Sequence, residues 1–242
     1  MAWFFTDCEI DADRYIIEGE TARHMLKSLR MKSGEELTLV TPSGQQLDCE
    51  LVSAVVDSAE VKVTARSLCQ NEPDVKITLY QALPKGDKMD YIIQKCVELG
   101  VSRVVPMISA RCVSRPDEKS LSKKRQRWQK IAKEAAQQSR RGIIPEVCEA
   151  VSFRQAVKLS EANDKNIIFY ELGGESVQSL LPDSPEKIGI FIGSEGGFEQ
   201  NEVDFVLENG GLRATLGKRI LRAETAPLAA LSIIMYQTGN FD

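Results

Sequence analysis

The most restrictive feature of the chain lies near its carboxyl end, where a predicted strand twice leaves through glycine into a helix. Ile188-Gly-Ile-Phe-Ile192 runs into Gly193-Ser-Glu-Gly-Gly-Phe198, and Leu212 to Leu216 runs into Gly217-Lys-Arg-Ile-Leu-Arg-Ala-Glu-Thr-Ala-Pro227. Short apolar runs such as 188–192 mark strands covered on both faces, and such strands belong to parallel sheets with helical crossovers. The chain from residue 75 onward keeps this alternation. Val75–Leu83 reads as a strand. Lys88–Leu99 reads as a helix capped by Asp87 and stopped by Gly100, with Met89, Ile92, Ile93, Cys96 and Leu99 facing inward. Val101–Ile108 is a strand in which Pro106 marks an edge or an end. A basic helix over Leu121–Ser139, strands near 167–170 and 188–192, a helix over Glu199–Asn209, a strand over Leu212–Leu216 and a last helix over Pro227–Gln237 follow. The expected fold is α/β with a mainly parallel sheet.

Residues 1–72 read differently. Short strands at 37–40, 46–56 and 61–65, with turn chemistry in Thr41-Pro-Ser-Gly44, predict a small antiparallel barrel or sheet. One helix over Glu20–Met31 interrupts it, with Ala22, Leu26 and Leu29 on one stripe and Arg23, Lys27 and Arg30 on another. The polar stretch Gln70-Asn-Glu-Pro-Asp74 sets the expected boundary, giving domains 1–72 and 73–242.

Several classes of chemistry are excluded or disfavoured by counts. No window approaches the ~20 apolar residues of a spanning helix, and the start lacks the pattern of a secretory signal, so a cytoplasmic protein without membrane contact is expected. The chain has one histidine, His24, so a zinc site with two His ligands is impossible. Cysteines 8, 49, 69, 96, 112 and 148 form no CxxC pair, and no metal is expected. The net charge of -4 hides an asymmetry: residues 111–141 hold eleven Lys/Arg against three acidic residues. That concentration suits a polyanion, and it equally suits a solvated helix face.

The two glycine turns carry the chemistry. At the carboxyl ends of parallel strands, glycine lets backbone approach a ligand closely. The first turn taken alone also fits a tight strand-to-helix connection, and it is no Walker loop, because no Gly-Lys-Ser/Thr follows. In the second, Arg219, Arg222 and Glu224 enter an apolar helix, with Thr225 a candidate N-cap. Such charges need ligands, or each other in an internal Arg222–Glu224 clamp.

Gly193-Ser-Glu-Gly-Gly-Phe198 and Leu216-Gly-Lys-Arg-Ile-Leu-Arg-Ala-Glu-Thr-Ala-Pro-Leu-Ala-Ala-Leu231 resemble the two carboxyl-terminal motifs of the ribosomal RNA small subunit methyltransferase E family, of the SPOUT (trefoil-knot) class. Gln81 to Met89, Ile93 to Lys95, Glu98 to Val101 and Arg127 to Arg140 are similar to its other blocks, so the resemblance spans the chain. It implies a PUA-like β-barrel at 1–72, a knotted domain at 73–242, a homodimer, S-adenosyl-L-methionine as methyl donor, and N3 of a uridine in 16S ribosomal RNA as acceptor. The implied donor-binding residues are Glu171, Leu172, Ile192, Gly193, Glu195, Gly196, Gly197, Leu216, Gly217, Ile220, Leu221, Thr225 and Ala226. Three positions depart from the pattern: Ser194 stands for Pro, Ala223 for Thr, and Trp3 for Arg, the last weakening an amino-terminal RNA contact.

Transfer of methyl to a nitrogen needs alignment and a deprotonated nucleophile. Uracil N3 keeps its proton to about two to three units above neutral pH, so the site must supply roughly 3–4 kcal/mol. Arg222 and Arg219 are the candidates for stabilising the anionic base, with Glu195 or Glu224 taking the proton or orienting an arginine. The candidate RNA contacts are Arg23, Lys27 and Arg30 in the first domain and Arg111, Arg115, Lys123, Lys124, Arg125, Arg140 and Arg141 in the second. His24 is expected beside the first patch and Trp128 as packing for the basic helix. A non-catalytic RNA-binding assembly protein, or a knotted methyltransferase acting on ribose or guanine, remains an alternative on charge and spacing.

Overall fold

The computed structural model describes residues 2–55, 57–181 and 185–241. The chain divides into two compact units, one comprising the chain up to Glu72 together with Ala136–Ile144, the other Pro73–Ala135 and the chain from Pro145 onward. Residues 136–144, which the sequence places in the second domain, thus group with the first unit.

In the first unit, β1 (Ala2–Phe5), β2 (Arg14–Glu18), β3 (Glu36–Val40), β4 (Gln45–Val55) and β5 (Ser58–Leu68) form one sheet in the order β1-β3-β4-β5-β2. The β1–β3 pair is parallel and the others antiparallel. Alternation in β3 to β5 turns Leu37, Leu39, Leu47, Leu51, Val61 and Val63 into one core with Phe4, Ile17 and Met25. The expected single helix is instead α1 (Gly19–Arg23) continuing into a π-helical turn over His24–Ser28, where Leu29 N–H donates to the His24 carbonyl (3.0 Å). Met25 is buried on this turn, and Arg30, at φ 55°, ends it. His24 meets the Phe4 ring edge-on, with centroids 6.1 Å apart.

Arg141 corrects the charge map. It is 2% exposed, and its guanidinium donates through Nε and Nη2 to both oxygens of Glu72 (3.1 and 2.6 Å). Glu72 Oε1 also accepts the Gly142 N–H (2.8 Å), and the Arg141 carbonyl accepts the Trp3 indole N–H (3.0 Å). A planar fork closed on a carboxylate is a structural tie that leaves nothing for RNA. Arg141→Met is expected to destabilise the unit by roughly 2–3 kcal/mol, because Glu72 loses its counter-charge while staying mostly covered. Urea unfolding followed by tryptophan fluorescence measures this.

The second unit holds a seven-stranded, wholly parallel sheet: β6 (Lys76–Ala82), β7 (Arg103–Ile108), β8 (Glu146–Val147), β9 (Val151–Ser152), β10 (Lys165–Phe169), β11 (Lys187–Ile192) and β12 (Leu212–Ala214). The order is β12-β10-β11-β6-β7-β8, with β9 also beside β7. Pro106 is not on an edge strand. It pairs with Gln81 on one flank, and on the other it falls between the residues that β8 and β9 engage, where a missing N–H breaks no ladder.

Helices α2 (Lys88–Glu98), α3 (Glu118–Gln138), α4 (Phe153–Ser160), α5 (Val177–Leu180), α6 (Gln200–Glu208) and α7 (Ala226–Gln237) complete the chain. Asp87 precedes α2 and Thr225 precedes α7, but neither side chain makes a cap hydrogen bond. At the start of α6 the Glu202 carboxylate accepts the Glu199 N–H (2.9 Å). Trp128 packs α3 as expected: it is 3% exposed and donates its indole N–H to Asp90 Oδ1 of α2 (3.0 Å), where Arg127 also pairs. No helix among the described residues is long and apolar enough to cross a membrane.

Candidate functional site

Strands β12, β10 and β11 are neighbours, so the segments leaving their carboxyl ends converge. These are Tyr170-Glu171 after β10, Gly193 to Phe198 after β11 and Thr215 to Ala223 after β12, and together with Lys88 they line a cavity of about 550 Å³. Its size is that of a small-molecule site, at the end of a parallel sheet where such sites collect.

The glycine turn owes its shape to missing side chains. A Cβ on Gly193 would lie 3.0 Å from Gly197 Cα, and one on Gly196 would lie 2.9 Å from Arg111 Cβ. Gly197 adopts φ +66° and donates its N–H to the Ser194 carbonyl (3.0 Å). A Cβ there would meet the Glu171 carboxylate at 2.4 Å. The outcome is a strip of bare backbone facing the cavity, with Ile192, Leu216, Ile220 and Leu221 as apolar lining.

The charges are arranged around Lys88. Its Nζ donates to Glu195 Oε1 (2.8 Å) and lies 3.2 Å from Glu224 Oε2. Glu195 also accepts the Lys85 N–H (3.1 Å). The hydrogen bond to Glu195, helped by Glu224, raises the Lys88 pKa above its ordinary value. Glu195 is partly buried, which opposes ionisation, yet Lys88 and backbone N–H groups hold its carboxyl below the usual range. Glu224 is likewise lowered, by its own backbone N–H first and then by Lys88, against some burial. Arg222 stands outside this cluster, with its side chain 83% exposed and Nη1 3.9 Å from Glu224 Oε1.

Comparison with known proteins decides the family. An RNA methyltransferase domain profile matches residues 71–235. The chain is 38% identical over 236 residues to the ribosomal RNA small subunit methyltransferase E of Bacillus subtilis, covering 94% of this chain and 92% of that one. The chain belongs to the ribosomal RNA small subunit methyltransferase E family. The Mesomycoplasma hyopneumoniae enzyme of that name is 31% identical, over 96% of this chain and 98% of its own. The Neisseria gonorrhoeae member, solved bound to S-adenosyl methionine, superposes with a TM-score of 0.88 at 31% identity, over 98% and 97% of the two chains.

Of the donor-binding residues expected for a member of the ribosomal RNA small subunit methyltransferase E family, Glu171, Ile192, Gly193, Glu195, Gly196, Gly197, Leu216, Gly217, Ile220, Leu221 and Ala226 line the cavity. Leu172 and Thr225 lie outside its lining; Leu172 points to solvent, 77% exposed. Arg219 and Arg222 line the cavity with Glu195, whereas Glu224 sits behind Lys88. The expected RNA contacts are dispersed in use. Arg111 donates to the Gly196 carbonyl (3.1 Å) and so backs the glycine turn, Arg115 donates to the Ala110 carbonyl (3.0 Å), and Arg125 to that of Val147 (3.0 Å). In the first unit Arg23 donates to the Gly19 carbonyl (3.2 Å) and Lys27 pairs with Asp57 (3.4 Å). Lys123, Arg140 and Arg30 are exposed, and Lys124 lies over the Trp128 ring, 5.9 Å from its centroid. Nothing in the sequence alone marks Lys88 as part of the site; its only signal is a place within the Gln81 to Met89 block, in the first turn of a helix.

Proposed function

We propose that the chain methylates N3 of a uridine in 16S ribosomal RNA, taking the methyl group from S-adenosyl-L-methionine bound in the cavity at the ends of β10, β11 and β12. The observation that carries this reading is the backbone slot made by Gly193, Gly196 and Gly197 facing a loop that presents Arg219 and Arg222. The residues fit the donor. Bare backbone admits a flat nucleoside, Ile192, Leu216, Ile220 and Leu221 offer apolar contact, and Glu171 offers a carboxylate to hydroxyl groups. The names of the Bacillus and Neisseria relatives and the ligand of the latter agree with it.

When bound, the donor supplies an electrophilic methyl on a sulfonium. The chain's part is to orient the base and to make its N3 anionic. Arg222 is free of any tight pair and stands at the open side of the cavity, so its guanidinium can meet the oxygens flanking N3 as charge develops there. Glu195 and Glu224 are poorly suited to take the proton, because their carboxyls are held below the usual range by Lys88 and backbone N–H groups. The N3 proton passes to solvent at the cavity mouth, and the carboxylates orient cations.

In this reading residues 1–72, with 136–144 packed into the same unit, form a PUA-like β-barrel domain that positions RNA, and the rest of 73–242 is the knotted catalytic domain. The exposed cations of α3 and of the Arg23 to Arg30 segment hold ribosomal RNA in the cytoplasm, and no metal takes part. A homodimer is supported by α7, which has no charged residue yet exposes Ile233 and Tyr236 (42% and 73%). The test is to incubate purified protein with S-adenosyl-L-methionine and small ribosomal subunits lacking the modification, then identify nucleosides by mass spectrometry. One equivalent of N3-methyluridine in 16S ribosomal RNA is expected. A ribose-methylated or guanine-methylated product, or none, overturns the reading.

A further inference from the structure

Three chain segments that build the cavity meet on one ammonium group. Lys88 opens α2, Glu195 belongs to the glycine turn after β11, and Glu224 closes the loop after β12. Glu224 faces two cations, with Oε2 3.2 Å from Lys88 and Oε1 3.9 Å from Arg222. Charges therefore alternate from the glycine turn outward: Glu195, Lys88, Glu224, Arg222. Glu224 Oε2 is buried from solvent and accepts no hydrogen bond in the structure, so the Lys88 ammonium is what compensates it.

We propose that Lys88 is a positioning residue that ties the two walls of the cavity together through Glu195 and Glu224, and thereby couples donor binding to the placement of Arg222. The inference rests on the methyl-transfer reading for its effect on activity, but the tie itself is a property of the unliganded protein. Lys88 lines the cavity, but its ammonium is engaged by the two carboxylates. It acts by holding two loops that otherwise have few reasons to keep a fixed separation: most positions from Gly217 to Thr225 are exposed, and none lies in a helix or strand. A raised lysine pKa facing two lowered carboxyls fits a cluster that stays ionised across the neutral range.

Two measurements on full-length protein test this. Hydrogen exchange without donor is compared among wild type, Lys88→Met and Lys88→Arg. Lys88→Met is expected to speed exchange about tenfold in both segments 193–198 and 217–224, and Lys88→Arg to restore it to within about threefold. Donor affinity by calorimetry should fall about tenfold in the Met variant and recover in the Arg variant. Glu224→Gln keeps the Lys88–Glu195 contact. Exchange should rise in 217–224 alone, and single-turnover methylation should slow while donor affinity stays within about threefold. Unchanged exchange in either segment of folded Lys88→Met, or no rescue by Arg, overturns the proposal. If Lys88→Met does not fold, unchanged exchange in 217–224 of Glu224→Gln overturns it. Failure of wild type to bind S-adenosyl-L-methionine sinks the methyl-transfer reading, while the exchange data still decide the tie.

Discussion

Replacing Arg222 by alanine is expected to slow methyl transfer about 10²–10³-fold while leaving donor affinity within about threefold, the signature of a lost interaction with developing negative charge. In the proposed reaction the uracil N3 proton is released against roughly 3–4 kcal/mol at neutral pH, and a guanidinium beside the flanking oxygens can supply most of it. Arg222 suits this because its one carboxylate neighbour, Glu224, is 3.9 Å away and is already engaged with Lys88, so the arginine charge is not neutralised by a close partner. The conservative change Arg222→Lys keeps the charge but loses the fork and should recover part of the rate. Arg219→Ala should cost less, since no carboxylate among the described residues pairs with Arg219 to fix its direction. Because the Arg222→Ala variant must ionise the base unaided, its rate should climb further between about pH 7 and pH 9 than that of wild type. Single-turnover assays with nucleoside mass spectrometry, and calorimetry for the donor, measure both quantities. Turnover near that of wild type would remove Arg222 from catalysis.

The sequence discloses the segments of this site better than their arrangement. The apolar run at 188–192 and the shorter Leu212-Arg-Ala-Thr-Leu216 segment, each followed by glycine, are local signals, and both appear as β11 and β12 followed by cavity-lining turns. Strands β8 and β9 have two residues each and carry no periodicity to read, whereas α4 is marked by its capping box Ser152-Phe-Arg-Gln155 and by the helical spacing of Phe153, Ala156 and Val157. The π turn over His24–Ser28 has the same apolar spacing as an ordinary helix, so nothing in the residues announces it. Sheet order is the larger gap. Insertion of β10 between β11 and β12 brings Glu171 to the glycine turn, a neighbourhood that the family resemblance implies and no local pattern predicts. Lys88 is ordinary as a lysine opening a helix and becomes informative only when the fold sets it against a carboxylate 107 residues away. Arg140 and Arg141 show the converse: adjacent, chemically identical, one exposed and the other closed on Glu72, a difference set by packing alone.

Replacing Gly193 by valine should abolish measurable donor binding, a loss of at least about 100-fold, while Gly193→Ala should cost about tenfold. The argument is steric. The first carbon added to Gly193 lies 3.0 Å from Gly197 Cα and 3.1 Å from its carbonyl carbon, closer than carbon atoms pack. Those atoms are backbone, and the Gly197 N–H bond to the Ser194 carbonyl at 3.0 Å keeps them from retreating. Gly197 also holds φ +66°, so relief by rotating that residue would break the turn that presents Gly196 and Gly197 to the cavity. Alanine can be admitted by opening the turn a few tenths of an ångström, whereas the two further methyl groups of valine must enter either the cavity or the sheet. Gly210→Ala supplies the control. Gly210 has φ +79° at the end of α6, and an added carbon there has no neighbour within 4 Å, so only backbone strain of about 1 kcal/mol is expected, with donor affinity unchanged. Calorimetry with S-adenosyl-L-methionine, set beside urea unfolding of all three variants, separates a blocked slot from a weakened fold. A folded Gly193→Val protein that binds donor like wild type would show that the backbone strip after β11 is not the wall against which the nucleoside lies.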